Sequence, residues 1–307
     1  MGYLALTGGI GGAKLALGLA NRLGPDEITF VVNTGDDFEH LGLYICPDVD
    51  TLTYTLAKQS NTKTGWGRQN ETWQFMAALE DLGGETWFRL GDRDLGLHVT
   101  RTQMLNAGSS LTEATAHIAA RFGIRHRILP MSDDPVRTIV HTPDGPLPFQ
   151  HYFVRDRCVP TVTGFEFQGI DDAKPNPDIL ERLGECDGII ICPSNPFVSI
   201  DPILNLPGFR DALKNCQAPV VAISPIVGGR AIKGPTAKMM TELDIASTAS
   251  QVAEHYGDLL DGFLLDEQDA ALDGTLNVAT TVAQSVMLTL QDRVDLADAT
   301  LQFINTL

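Results

Sequence analysis

Short apolar runs alternate with amphipathic stretches along most of the chain. Tyr3-Leu4-Ala5-Leu6 is the first run, and a helical pattern follows it through Leu15-Ala16-Leu17-Gly18-Leu19-Ala20. Ile28–Val32 is β-branched and apolar, and reads as a second buried strand. Runs of the same kind recur at residues 188–192, 219–223 and 262–265, with helical patterns between them at 207–215 and 246–256. Strands alternating with helices predict an α/β fold, with a Rossmann-like, mostly parallel sheet covered by helices on both faces.

Residues 51–122 lack such strands. They carry helix-like segments at 51–58, 71–82 and 111–122, so the pattern predicts a core of residues 1–50 and 123–307 interrupted by a helical insertion over 51–122. The texture changes again at 137–167. There Thr138-Ile139-Val140-His141, Pro143-Asp144-Gly145 and Leu147-Pro148-Phe149 predict a hairpin. Residues 292–306 read as an amphipathic terminal helix.

The first strand runs into Thr7-Gly8-Gly9-Ile10-Gly11-Gly12-Ala13-Lys14. A strand, a glycine turn and a helix in that order present unpaired N–H groups and a partial positive charge, which suits a phosphate. Gly8, Gly9, Gly11, Gly12 and Lys14 are therefore candidate phosphate contacts. The pattern is not a P-loop, because no Ser or Thr follows Lys14. It is also an incomplete dinucleotide fingerprint, because Lys14 stands where the third glycine belongs.

Composition narrows the partners. A net charge of −17 argues against nucleic acid or an anionic membrane, so an anionic substrate would be met by local donors, cations or a bound metal ion. No apolar run approaches a membrane span, and no signal-peptide pattern is present. Five cysteines without a C-x-x-C pair read as reduced packing thiols in a cytoplasmic protein.

Ligands of open parallel sheets bind beyond the carboxyl ends of the strands. Polar clusters fall at several such ends: Asn33 with Asp36 and Asp37 after the second strand, Pro193-Ser194-Asn195-Pro196 after the 188–192 run, and Ser224 after the 219–223 run. Cys46-Pro47-Asp48-Val49-Asp50-Thr51 places two carboxylates before a predicted helix. Asp50 either caps that helix, or Asp48 and Asp50 offer ligands to Mg²⁺, which takes few carboxylates along with phosphate oxygens. In Leu90-Gly91-Asp92-Arg93-Asp94, Arg93 either forks onto phosphate or carboxylate, or pairs structurally at a turn. Met131-Ser132-Asp133-Asp134-Pro135-Val136 offers further acids at a strand end. No hydrolytic triad is indicated.

Taken in order, these motifs resemble the 2-phospho-L-lactate transferase family over residues 1 to about 270. The resemblance implies transfer of a phosphorylated three-carbon acid (2-phospholactate, phosphoenolpyruvate or 3-phosphoglycerate) from its guanosine diphosphate conjugate to the ribityl hydroxyl of the deazaflavin Fo. It further implies that GMP leaves, that Mg²⁺ assists and that the protein is a homodimer. It places Asp50 and Arg89 against Fo, with Asp50 as metal ligand, base or orienting group. The helical insertion then contributes to the acceptor site. Asn33, Ser194, Asn195 and Ser224 suit hydrogen bonds to the nucleotide, and Leu41–Tyr44 and Trp66 suit the flat Fo ring. Gln284-Ser285 stands where the family pattern carries Asp-Thr. Two alternatives remain at this point: a non-catalytic nucleotide or nucleotide-sugar binding regulator on the same fold, and an NAD-dependent oxidoreductase, against which Asn33 replaces the acidic ribose ligand.

Overall fold

The computed structural model describes residues 2–61 and 66–307; residues 62–65, inside the expected insertion, lie outside it. Its centre, among the described residues, is a sheet of seven parallel strands. They are β1 (Tyr3–Thr7), β2 (Ile28–Val32), β3 (Arg127–Pro130), β4 (Gly188–Ile191), β5 (Val220–Ile223), β6 (Gly262–Leu265) and β7 (Ala279–Val282). The spatial order is β7-β6-β5-β4-β1-β2-β3, and every pairing is parallel. This is the Rossmann order with a seventh strand added, and its switch point lies between β1 and β4.

The inner strands are legible because each is covered on both faces. Ile28–Val32, Gly188–Ile191, Val220–Ile223 and Gly262–Leu265 are buried at every position. Such strands read as unbroken apolar runs. β7 was not foreseen: it is an edge strand, exposed to half-buried, and Ala-Thr-Thr-Val carries no apolar run. The register brings the strand ends to one level, as ladder bonds continue one step past each strand. Asn33 N–H donates to Thr7 O (3.0 Å), Cys192 N–H to Leu6 O (3.0 Å), and Ser224 N–H to Leu264 O (3.0 Å).

Helix α1 (Gly9–Arg22) follows β1 directly and buries Leu15, Ala16 and Leu19 against the sheet. Beyond β2, a short hairpin (Phe38–His40 with Leu43–Ile45) leads to α2 (Pro47–Leu56). Helix α2 starts four residues before the expected segment, at a proline, which suits a first helical position. Its cap position is Cys46, so Asp50 is not the N-cap; it sits inside the first turn, its N–H bonded to Cys46 O at 2.9 Å.

Three further helices follow: α3 (Gln74–Asp81), α4 (Asp92–Asn106) and α5 (Leu111–Arg121). Helix α4 was unforeseen because its inward face is charged. Asp94, His98 and Arg101 are buried there, so no apolar period marks it. The Leu90-Gly91-Asp92-Arg93-Asp94 run is the start of α4. Asp92 accepts from Gln74 N–H (3.1 Å) and Phe75 N–H (3.0 Å), capping α3, while Glu71 accepts from Arg93 N–H (2.8 Å) and Asp94 N–H (3.0 Å). The two helix starts satisfy each other's orphan donors.

The expected hairpin is present as Arg137–Thr142 against Gly145–Pro148, and Gly164–Gln168 adds a third antiparallel strand. The chain closes with a helix over Leu290–Ile304, capped by Thr289 and Asp292. All five cysteines are free. No helix among the described residues is long and apolar enough to cross a membrane.

Candidate active site

A cavity of about 610 Å³ opens at the carboxyl edge of the sheet, over the switch point. Gly8, Gly9, Ile10, Gly11 and Lys14 form its floor, with Ser194 and Asn195 beside them. The glycine loop is tight against its surroundings. A Cβ on Gly11 would lie 2.4 Å from Pro193 O, and one on Gly12 would lie 2.1 Å from Thr7 Oγ1 and 2.5 Å from Ser194 Oγ. Gly9 takes φ +62°, the left-handed region that glycine occupies at no steric cost. These glycines therefore let β1, α1 and the Pro193–Asn195 turn pack backbone to backbone. Ser194 locks that packing: its Oγ accepts from Gly8 N–H (3.2 Å) and donates to Gly8 O (2.8 Å). Helix α1 begins with no Ser, Thr, Asp or Asn at its cap position.

One carboxylate reaches the start of that helix from outside. Asp48 Oδ1 accepts from Gly9 N–H at 2.7 Å, and its Oδ2 accepts from Asn33 Nδ2 at 2.9 Å. Asn33 is itself anchored, donating to Val198 O (3.2 Å) and accepting from Gly35 N–H (2.8 Å). Asp36 lies on the same wall, buried, with Oδ1 unpartnered. Burial pushes Asp36 well above the usual carboxylate range, and the charge of Asp48 adds to the rise. Burial likewise raises Asp48, against the donors Asn33 and Gly9.

Asp50 has a different setting. Two positions along a helix is about 200° around its axis, so it points away from Asp48. It is buried off the cavity, in a two-pronged ion pair with the guanidinium of Arg101, whose Nη1 lies 3.1 Å from Oδ2. His98 Nδ1 is 3.6 Å away, and His98 Nε2 is 3.3 Å from Asp94, which accepts from Tyr54 Oη. His98 belongs to this buried layer.

The remaining walls divide by chemistry. On the side of α3 and α4, Trp66, Trp87, Phe88, Arg89, Phe149 and Phe153 line the cavity. Phe149 and Phe153 stack at 5.4 Å, and Arg89 lies 4.3 Å over the Trp73 ring. On the side of β5–β7, the wall includes Ser224, Val227, Ile232, Lys233, Ser285 and Met287. Lys14 Nζ donates to Met287 O at 2.7 Å. Burial lowers its pKa first, then the nearby charges of Lys233 and Arg293.

Of the candidates from sequence, the cavity wall thus gathers Gly8, Gly9, Gly11, Lys14, Asp48, Arg89, Ser194, Asn195, Ser224 and Trp66. It does not gather Asp50, Asn33, Gly12, Arg93 or Leu41–Tyr44. Arg93 is exposed on α4, and Tyr44 is turned toward Arg137, accepting from its Nη2 at 2.9 Å. Asn33 lies behind Asp48, to which it donates. Sequence reasoning missed Lys233, the Phe149–Phe153 pair and Trp87, none of which sits at the end of a strand of the central sheet; Asp36 was noted at such an end but not taken as a site residue. Among the described residues no group of three or more His, Cys, Asp and Glu side chains is placed to hold a metal ion.

Residues 4–301 match the family model described as 2-phospho-L-lactate transferase CofD. The chain belongs to this family. It is 43% identical over 299 residues to a phosphoenolpyruvate transferase of Kitasatospora aureofaciens, covering 95% of this chain and 93% of that protein. It is 41% identical over 268 residues to a 2-phospho-L-lactate transferase of Methanosarcina mazei, covering 87% and 88%. In fold it is similar to a UPF0052-family protein from Bacillus halodurans, with a TM-score of 0.65 at 18% identity over 98% of each chain. Membership makes the chain a phosphotransferase of the phospho-acid-transferring kind.

Proposed function

We propose that the protein moves a phosphorylated three-carbon acid from its guanosine diphosphate conjugate to the ribityl hydroxyl of the deazaflavin Fo, releasing GMP. The observation that carries this reading is the acidic pair Asp36–Asp48 facing a cavity floored by the start of α1. Phosphoryl transfer needs alignment and neutralised charge more than covalent help. The backbone N–H groups at the start of α1 supply donors for the diphosphate.

Mg²⁺ fits the acidic pair. It takes one or two carboxylates and fills its shell with phosphate oxygens and water, so a group of three acids is not required. Asp36 Oδ1 is a buried acceptor without a donor, and two buried carboxylates raise each other's cost of ionisation. Asp36 and Asp48 would hold the ion, which would supply neutralising charge at the diphosphate. The aromatic wall with Arg89 suits the flat acceptor, whose hydroxyl oxygen bonds to the distal phosphorus. The bond from that phosphorus to the bridging oxygen breaks, its electron pair leaves with GMP, and the hydroxyl proton passes to solvent. Asp50 then serves by anchoring α2 through Arg101. The same reading includes assembly as a homodimer.

Purified protein, Mg²⁺ and Fo are incubated with each of the three guanylylated acids. Equimolar GMP and phosphorylated Fo with at least one donor is the expected result. No transfer with any of them overturns the reading.

A further inference from the structure

Two of the five cysteines meet at the amino edge of the sheet, off the cavity wall. Cys186 lies in the link from the helix Pro177–Leu183 to β4, and Cys216 in the link from the helix Phe209–Lys214 to β5. Each stands three residues beyond a buried leucine, Leu183 or Leu213. Strands β4 and β5 are neighbours, with Val220 opposite Ile189, so the two links run side by side. The sulfur atoms are 3.9 Å apart. Both thiols point at one carbonyl: Cys216 Sγ donates to Leu183 O at 3.1 Å, and Cys186 Sγ to the same oxygen at 3.6 Å.

The backbone is tied down on both sides of the pair. Asp187 N–H donates to Gly2 O at 2.7 Å, and Ile189 N–H to Pro219 O at 2.9 Å. The cysteines are half-buried but flanked by exposed residues, Glu185 and Asp187 at one, Asn215 and Gln217 at the other. A small reagent can therefore reach them. Cys46 and Cys192 are buried, and the Cys158 thiol is turned to Phe153 O.

We propose that Cys186 and Cys216 form a reversible dithiol–disulfide site, closed by a small disulfide oxidant, that staples the feet of β4 and β5. A disulfide needs about 2.05 Å between its sulfurs, and rotation of both side chains about their Cα–Cβ bonds closes the gap. One protein thiol loses its proton and attacks the oxidant, expelling a small thiolate and leaving a mixed disulfide. The second protein thiol loses its proton and attacks the protein sulfur of that adduct, so the Cys186–Cys216 bond forms and the other small thiolate leaves. Two protein thiols are oxidised, one oxidant disulfide is reduced, and the two protons end on the two small thiols. Burial, then the facing thiol, pushes Cys186 up to about 12, so the exchange is slow at neutral pH. The closed loop holds β4, the Pro193–Asn195 turn and the helix before β5, and it stabilises the fold by constraining the unfolded chain.

The whole chain is incubated with oxidised glutathione at mildly alkaline pH, alkylated, digested and mapped by mass spectrometry, and melted with and without dithiothreitol. The expected result is a Cys186–Cys216 cross-link and no other, with a melting temperature raised by about 5 °C that falls back on reduction. Cys186→Ser and Cys216→Ser should each remove both the cross-link and the rise. Thiols left free, a lasting glutathione adduct in place of the cross-link, or a cross-link without the rise overturns the inference.

Discussion

The two faces of one helical turn do opposite things. On the cavity face of α2, Asp48 meets a backbone N–H and an amide, beside a second acid with an unpartnered oxygen. On the inner face, Asp50 is closed off by Arg101, with His98, Asp94 and Tyr54 behind it. The residues are chemically identical and two positions apart. The first is held by donors that leave it facing open space; the second has its charge cancelled by a buried guanidinium. The difference teaches that a paired-acid motif can split, one carboxylate lining the cavity and the other tied to Arg101 behind the turn.

Removing the cavity-facing charge should have the largest effect. Asp48→Asn keeps the shape but removes the acid proposed to hold the cation, and electrostatic contributions of this kind are worth about 10²–10³ in turnover. Steady-state GMP release at saturating substrates should fall by that order, with circular dichroism unchanged. Next in size is the buried face. Asp50→Asn strands the Arg101 charge, and breaking one side of a buried pair costs about 3–5 kcal/mol, which denaturant melts would register. Combining it with Arg101→Met removes both charges and should return most of that stability, since apolar replacement of a whole buried pair is often neutral or better.

A smaller effect is expected in the loop that Asp48 touches. Gly11→Ala would drive a methyl to 2.4 Å from Pro193 O, a backbone atom with little room to retreat. Overpacking of this kind costs about 1–3 kcal/mol, visible as a lower melting temperature and weaker GDP binding.

The last concerns pH. Burial pushes Asp37 up to about 8, with Arg137 opposing the rise. A carboxyl whose folded pKa is raised binds more protons folded than unfolded. Its stabilising contribution is therefore complete below the unfolded value and is lost as pH rises through the folded one. Stability of the free protein should decline between pH 4 and about 8, and Asp37→Asn should flatten that slope in melts across the range.

How much of this was legible depended on what each residue packs against. The inner strands could be read because they are buried on both faces, and the glycine loop because close backbone approach admits no Cβ. Helix α4 could not be read by apolar period, because Asp94, His98 and Arg101 occupy its inner face. Strand β7 lacked the signal that burial writes into a sequence. Asp48 and Asp50 could be named as a pair, but spacing alone does not say which faces the cavity. That is decided by where α2 begins, at Pro47, and by Arg101 more than 50 positions along the chain. Lys233 and the Phe149–Phe153 pair come from segments between the strands, whose placement is a tertiary matter.

The central claim is that chemistry belongs to the cavity face and scaffolding to the inner face. Side-by-side turnover of Asp48→Asn and of Asp50→Asn combined with Arg101→Met tests it most directly. The account predicts a severe loss in the first and substantial activity in the second. A double variant that is stable, binds GDP and does not turn over, alongside an active Asp48→Asn, would contradict it.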